Sequence, residues 1–141
     1  MSKNKKEIAS HEEDLHISGL RGTAIERFLQ SLPSKQQERL LRQIAMLLLP
    51  QLGKPPVKHF QMDKYRSLFE LRDKYKTTLT RIIFTYDAVG NVILLEAFIK
   101  NHKRKTDAAL ASALAKMRRI ELDPAHFLLE VDITDYFKQI A

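Results

Sequence analysis

Acidic and basic residues recur at strand spacing through the middle of the chain: Glu70 and Arg72, then Arg81, then Glu96 and Lys100. Side chains two apart on a strand share a face. In Ser67–Arg72, Leu68, Glu70 and Arg72 point one way while Phe69 and Leu71 point the other. In Thr78–Tyr86, Arg81, Ile83 and Thr85 oppose Ile82, Phe84 and Tyr86, and in Asn91–Ile99, Glu96, Phe98 and Lys100 oppose Ile93, Leu95, Ala97 and Ile99. If each apolar set packs on helices, Arg72, Arg81 and Lys100 gather on an open face with Glu70 and Glu96. Lys58 and His59 enter from a preceding strand, and His102, Lys103, Arg104 and Lys105 form the rim. Guanidinium groups grip phosphate oxygens bidentately and stabilise charge that develops in a transition state, so such a face suits phosphodiester chemistry. RNA carries its own nucleophile, the 2′-hydroxyl, and its cleavage then asks for alignment, proton transfer and charge neutralisation without a metal. The same spacing also permits Glu70 and Glu96 simply to pair with Arg72 and Arg81 across strands, and at this level the two readings stand level.

Other chemistries find less support. His11 and His16 fall in a polar N-terminal stretch, and His59, His102 and His126 lack paired metal-ligand spacing. There is no phosphate-cradling glycine loop, no nucleophile elbow and no cysteine. No metal and no cofactor is called for.

The elements that must position these residues follow from periodicity. Residues 1–20 are read as a flexible arm, 21–120 as one domain and 121–141 as its acidic extension, the aperiodic, charged stretch Met1–Ile17 setting the first boundary. Thr23 and Glu26 form a capping pair ahead of Ile25, Phe28, Leu29 and Leu32, predicting a helix over Ala24–Leu32 that Pro33 breaks. Ser34 and Gln37 repeat the signal ahead of Leu40, Leu41, Ile44, Leu47 and Leu48, a second amphipathic helix ending near Pro50. Strands follow at Val57–Met62, Ser67–Arg72, Thr78–Tyr86 and Asn91–Ile99, the last two joined by a short turn containing Gly90. Asn101–Lys105 reads as a basic loop, and Thr106 as the cap of a third helix with Leu110, Leu114 and Met117 on its face. The plan is α+β: two N-terminal helices, a mostly antiparallel four-stranded sheet, a C-terminal helix and a short extension.

Charge points to the kind of partner. The net charge is +7 and the pI about 9.7, and residues 54–105 hold 12 basic against 5 acidic groups. That is the footprint of a polyanion-binding face, although a solvated basic surface would look the same. No apolar run approaches the roughly 20 residues of a membrane span, no secretory signal is visible, and the absence of cysteine agrees with a cytoplasmic location.

These residues in this order resemble a known group. Ser67-Leu68-Phe69-Glu70-Leu71-Arg72, Thr80-Arg81-Ile82-Ile83-Phe84, and Val92 to Asn101 with Glu96-Ala97-Phe98-Ile99-Lys100, followed by Lys103–Thr106 and an Ala-rich helix ending Met117-Arg118-Arg119, resemble the phage-derived HigB-like branch of the RelE/ParE toxin superfamily. Phe28–Pro33 and Val57–Phe60 resemble it too, and the likeness runs from about Ile25 to Ile120. It implies a type II toxin that cleaves messenger RNA, often on the ribosome, and is neutralised by a cognate antitoxin, commonly a helix-turn-helix protein. Position by position it implies roles for Arg81, Arg72 and Lys100, and a looser one for Lys58. Some relatives carry a tyrosine in or near the last helix, whereas Asp107–Ile120 has none, leaving Tyr136 and His102 as substitutes to consider. The same superfamily includes ParE-like gyrase inhibitors, and a non-catalytic RNA-binding protein is a third reading.

Overall fold

A computed structural model describes residues 17–20, 24–48, 50–100 and 103–131. In chain order they form β1 (Ile17–Leu20), α1 (Ala24–Gln30), α2 (Ser34–Leu48), β2 (Val57–His59), β3 (Phe69–Tyr75), β4 (Thr78–Tyr86), β5 (Val92–Ile99), α3 (Lys103–Leu122), α4 (Pro124–Phe127) and β6 (Leu128–Val131). The break between the first two helices is local chemistry. Ser31 Oγ donates to the Phe28 carbonyl at 2.6 Å, and the Pro33 carbonyl accepts from Gln37 N–H at 2.9 Å to open α2.

As the sequence predicts, β2, β3, β4 and β5 form an antiparallel meander. Two further strands extend it. β1 lies parallel to β5 and antiparallel to β6, giving the order β2-β3-β4-β5-β1-β6. Ile17–Leu20 belongs to the stretch expected as an arm, and Leu128–Val131 to the acidic extension. Four residues are too few to show a period, so these strands owe their form to pairing partners rather than to local pattern. The tight β3–β4 connection holds Lys76 at φ +56°, and between β4 and β5 Asp87 Oδ1 accepts from the Val89 and Asn91 N–H groups, a side-chain turn.

The helices do not leave one sheet face open. α1 and α2 pack Ile25, Leu29, Leu40, Leu41 and Ile44 on Leu71, Ile82, Phe84, Val92 and Leu94. On the other face α3 lays Ala109, Leu110, Ala113 and Leu114 over Leu68, Ile83, Ile93, Leu95 and Phe98. The expected alternation of β5 is corrected by a bulge: Ile83 pairs with Glu96, but Phe84 pairs with Leu94, so Leu95 is the extra residue. Ile93 and Leu95 therefore join Phe98 beneath α3 instead of facing α1 and α2. α3 itself begins at Lys103, three residues ahead of the expected cap. Thr106 lies inside the first turns, and its hydroxyl is buried without a partner among the described residues. Lys103–Lys105 are thus helical backbone rather than loop.

Candidate functional site

Glu70 is the centre of the basic cluster. It sits on β3 directly opposite Lys58 of β2 and Ile83 of β4, while Arg72, two residues on, is directly opposite Arg81. Strand alternation thus places Lys58, Glu70, Arg72 and Arg81 on the α3 side of the sheet. Lys100, just past β5, is fixed there by its N–H bond to the Leu79 carbonyl at 2.8 Å. Glu70 Oε1 lies 3.6 Å from Arg72 Nε and 3.7 Å from Arg81 Nε. Its other oxygen, and Arg81 Nε itself, have no hydrogen-bond partner among the described residues.

Burial separates the two arginines. The sequence places Arg81 on an open face, but it is buried beside Phe98, and its Nη1 donates to the carbonyls of Thr80 at 2.9 Å and Asp73 at 3.4 Å. Arg72 is 42% exposed. Lys58 is exposed, with its Nζ 5.3 Å from the Phe60 ring centre, and Lys100 is half-buried. Burial raises the Glu70 carboxyl pKa above its ordinary value, against the opposing pull of Arg81, Arg72, Lys100 and Lys58. Burial likewise lowers that of Arg81, with Glu70 working in the other direction. The result is a buried carboxylate under a surface that offers Arg72, Lys58 and Lys100 to an anion.

Other predicted residues are not brought into this cluster. His59 is the register partner of Phe69, and its ring stacks on Phe69 at 4.5 Å, on the opposite side of β2 from Lys58. Its Nε2 lies 2.6 Å from the Arg66 carbonyl. Glu96 is claimed by α3: its Oε2 meets Lys116 Nζ at 2.6 Å and accepts from Ser112 Oγ at 2.9 Å. Lys103, Arg104 and Lys105 form the start of α3, which has no acidic residue in its first turn. His102 and Tyr136 lie outside the described residues. Sequence reasoning gives Glu70 no role beyond pairing; the sign of its depth is a carboxylate at a strand position flanked by large apolar residues, where burial is to be expected.

Among the described residues no helix is long and apolar enough to cross a membrane. Two clefts lie away from Glu70. One of about 390 Å³ runs between the Tyr86–Ala88 end of the sheet and Met117, Ile120 and Pro124. Another of about 360 Å³ lies between α2 and Tyr75. Residues 27–118 match the family described as Phage derived protein Gp49-like (DUF891). No curated protein and no solved structure matches the chain.

Proposed function

The chain belongs to the Gp49-like phage-derived family, a RelE/toxin-like family, and on that premise we propose that it is the toxin of a type II toxin–antitoxin pair. In this reading it is of the HigB-like branch, cleaves messenger RNA on the ribosome without a metal, and thereby inhibits translation and growth. A cognate helix-turn-helix antitoxin restrains it in the cytoplasm. The observation that carries the proposal is Glu70, buried between Arg72 and Arg81 with Lys58 and Lys100 beside it.

The RNA 2′-oxygen attacks the adjacent phosphorus, the bond from phosphorus to the 5′-oxygen breaks, and a 2′,3′-cyclic phosphate and a 5′-hydroxyl result. Arg72 presents its fork to the non-bridging oxygens, and Lys58 and Lys100 neutralise the charge that accumulates there. Arg81 does not reach the phosphate in this scheme; with Glu70 it fixes the direction of Arg72. The proton leaves the 2′-hydroxyl and another reaches the leaving oxygen through His102, which follows Lys100 by two residues and so by at most about 7 Å of chain. Lys103, Arg104 and Lys105 add phosphate contacts to the flanking strand.

The test is to incubate the purified protein with translating ribosomes and map messenger ends, with a gyrase supercoiling assay in parallel. New messenger ends that vanish in Arg72→Ala support the nuclease. Intact messenger together with inhibited supercoiling would replace it with gyrase binding.

A further inference from the structure

The cleft between α2 and the end of β3 has its own cationic lining. Lys35, Arg39 and Arg42 face it from α2, with Glu38 as the acid among them and Tyr75 across from them. The three cations cover about 10 Å of helix, at about 1.5 Å per residue. Arg39 is held rather than loose: its guanidinium grips Asp73 with Nη2 at 2.8 Å and Nε at 3.2 Å, and its Cζ lies 5.7 Å from the Tyr75 ring centre. Gln43 also lines the cleft, is buried, and has an Oε1 without a partner among the described residues.

The cleft and the Glu70 cluster lie on opposite sides of β3, with the β3–β4 hairpin between them. Tyr75 lies on the α2 side of β3, whereas Lys74 shares the side of Glu70 and Arg72 by alternation. Lys74 and Lys76 are both exposed, and Lys76 stands at the hairpin tip 5.6 Å from the Tyr75 ring. Arg72, Lys74, Lys76, Arg42 and Lys35 therefore make a cationic strip that passes from one sheet face to the other round the β3–β4 hairpin. Arg72 to Lys76 is about 13 Å along the strand. Cations interleaved with an aromatic ring suit a single strand of nucleic acid, whose phosphates follow the charges while a base stacks. An acidic protein helix would want a broader apolar floor than Met46 and Tyr75 provide.

We infer that single-stranded RNA held at Arg72 continues over the β3–β4 hairpin into the α2 cleft, where Lys35, Arg42 and Lys76 bind phosphates and Tyr75 stacks a base. This rests on the proposed action on RNA. The site extends the footprint by several nucleotides and makes long RNA a better ligand than short.

The experiment compares wild type with the triple variant Lys35→Ala, Arg42→Ala, Lys76→Asn, which leaves Arg39 and Asp73 intact and puts at the hairpin tip a residue that tolerates positive φ. The probes are a fully 2′-O-methylated 12-nucleotide RNA and a trinucleotide of the same chemistry, followed by fluorescence anisotropy across salt, with thermal midpoints as the folding control. The triple variant should bind the 12-mer about tenfold more weakly, with the slope of log affinity against log salt reduced by roughly two, and bind the trinucleotide unchanged. An unchanged 12-mer affinity and slope overturns the path while leaving the nuclease proposal standing. Unchanged RNA binding with lost binding of poly-glutamate overturns it in favour of an acidic protein partner. A weakened 12-mer in a protein that cleaves no messenger keeps the path and removes the nuclease; a wild type that binds neither RNA removes both.

Discussion

Arg81 Nε stands 3.7 Å from Glu70 Oε1, with the two side chains only 7% and 3% exposed, whereas Arg72 reaches the same oxygen from a partly solvated position. One carboxylate thus serves two arginines with different tasks. The buried pair belongs to the interior of the fold, and the outer arginine is the one a phosphate can meet. Charges removed from water recover their desolvation cost only when paired, so losing one member leaves the other uncompensated.

Arg81→Ala should therefore destabilise the protein by about 3 kcal/mol, as expected for breaking a buried pair, and also free the two carbonyls that its Nη1 now satisfies. Chemical denaturation measures this. A variant as stable as wild type would show that Glu70 neutralises itself by taking up a proton when its partner goes.

Arg72→Ala should do the reverse. Its contact with Glu70 is long and partly solvated, so the stability change should stay within about 1 kcal/mol. Messenger cleavage should fall by about a hundredfold or more, and Arg72→Lys should recover little of it because an ammonium lacks the planar fork. A single-turnover assay on ribosome-bound messenger decides; equal rates would move the phosphate contact to Lys58 or Lys100.

Glu70 also sets a pH dependence. Its carboxyl pKa is raised in the folded state, chiefly by burial, so the folded protein binds that proton more readily than the unfolded chain. Its contribution to stability is fully present below the ordinary glutamate value of about 4.3 and is lost as pH rises through the raised value. Glu70→Gln removes this titration. The thermal midpoint of the variant relative to wild type should climb as pH goes from about 4 to about 7. A difference that stays flat or shrinks over that range would mean the four surrounding cations outweigh burial.

His59 offers the contrasting control. It stacks on Phe69 and bonds the Arg66 carbonyl, on the other side of the sheet from Lys58. His59→Ala should cost about 1 kcal/mol of stability through the lost ring contact and leave the cleavage rate unchanged. A large rate loss in a well-folded variant would place the reaction on the opposite face.

Much of this arrangement is legible in the amino-acid order. The alternation of Glu70, Arg72 and Arg81 reads correctly because β3 and β4 pair residue for residue from Phe69/Phe84 to Tyr75/Thr78. β5 misleads because a single bulge at Leu95 reverses the alternation of everything before it, and its polar–apolar pattern carries no mark of the extra residue. The expectation of an open face fails for a related reason. Simple alternation sets Ile93 and Leu95 away from Phe98, which hides the apolar surface that α3 covers. Once that face is covered, Arg81 is enclosed and Glu70 becomes a buried centre. Composition locates the cations and does not rank them, since rank here is set by depth.

A second buried carboxylate provides the last test. The Asp73 side chain is 1% exposed and accepts from Arg39 Nε and Nη2 and from Gln43 Nε2 at 2.9 Å, tying α2 to β3. Arg39 is half in solvent, so its charge alone would contribute little; what makes it matter is the carboxylate it covers. Arg39→Ala leaves Asp73 with Gln43 as its one side-chain donor among the described residues and should cost about 2 to 3 kcal/mol. Asp73→Leu should also destabilise, because it strands the buried Gln43 amide. The double variant Arg39→Ala, Asp73→Leu should lose less than the sum of the separate changes, with a coupling of about 1 to 3 kcal/mol in a double-mutant cycle. Strict additivity would mean that the contact seen between α2 and β3 contributes nothing to holding the helix in place. The apolar packing of Leu40 and Ile44 on Leu71 would then be the whole of the attachment.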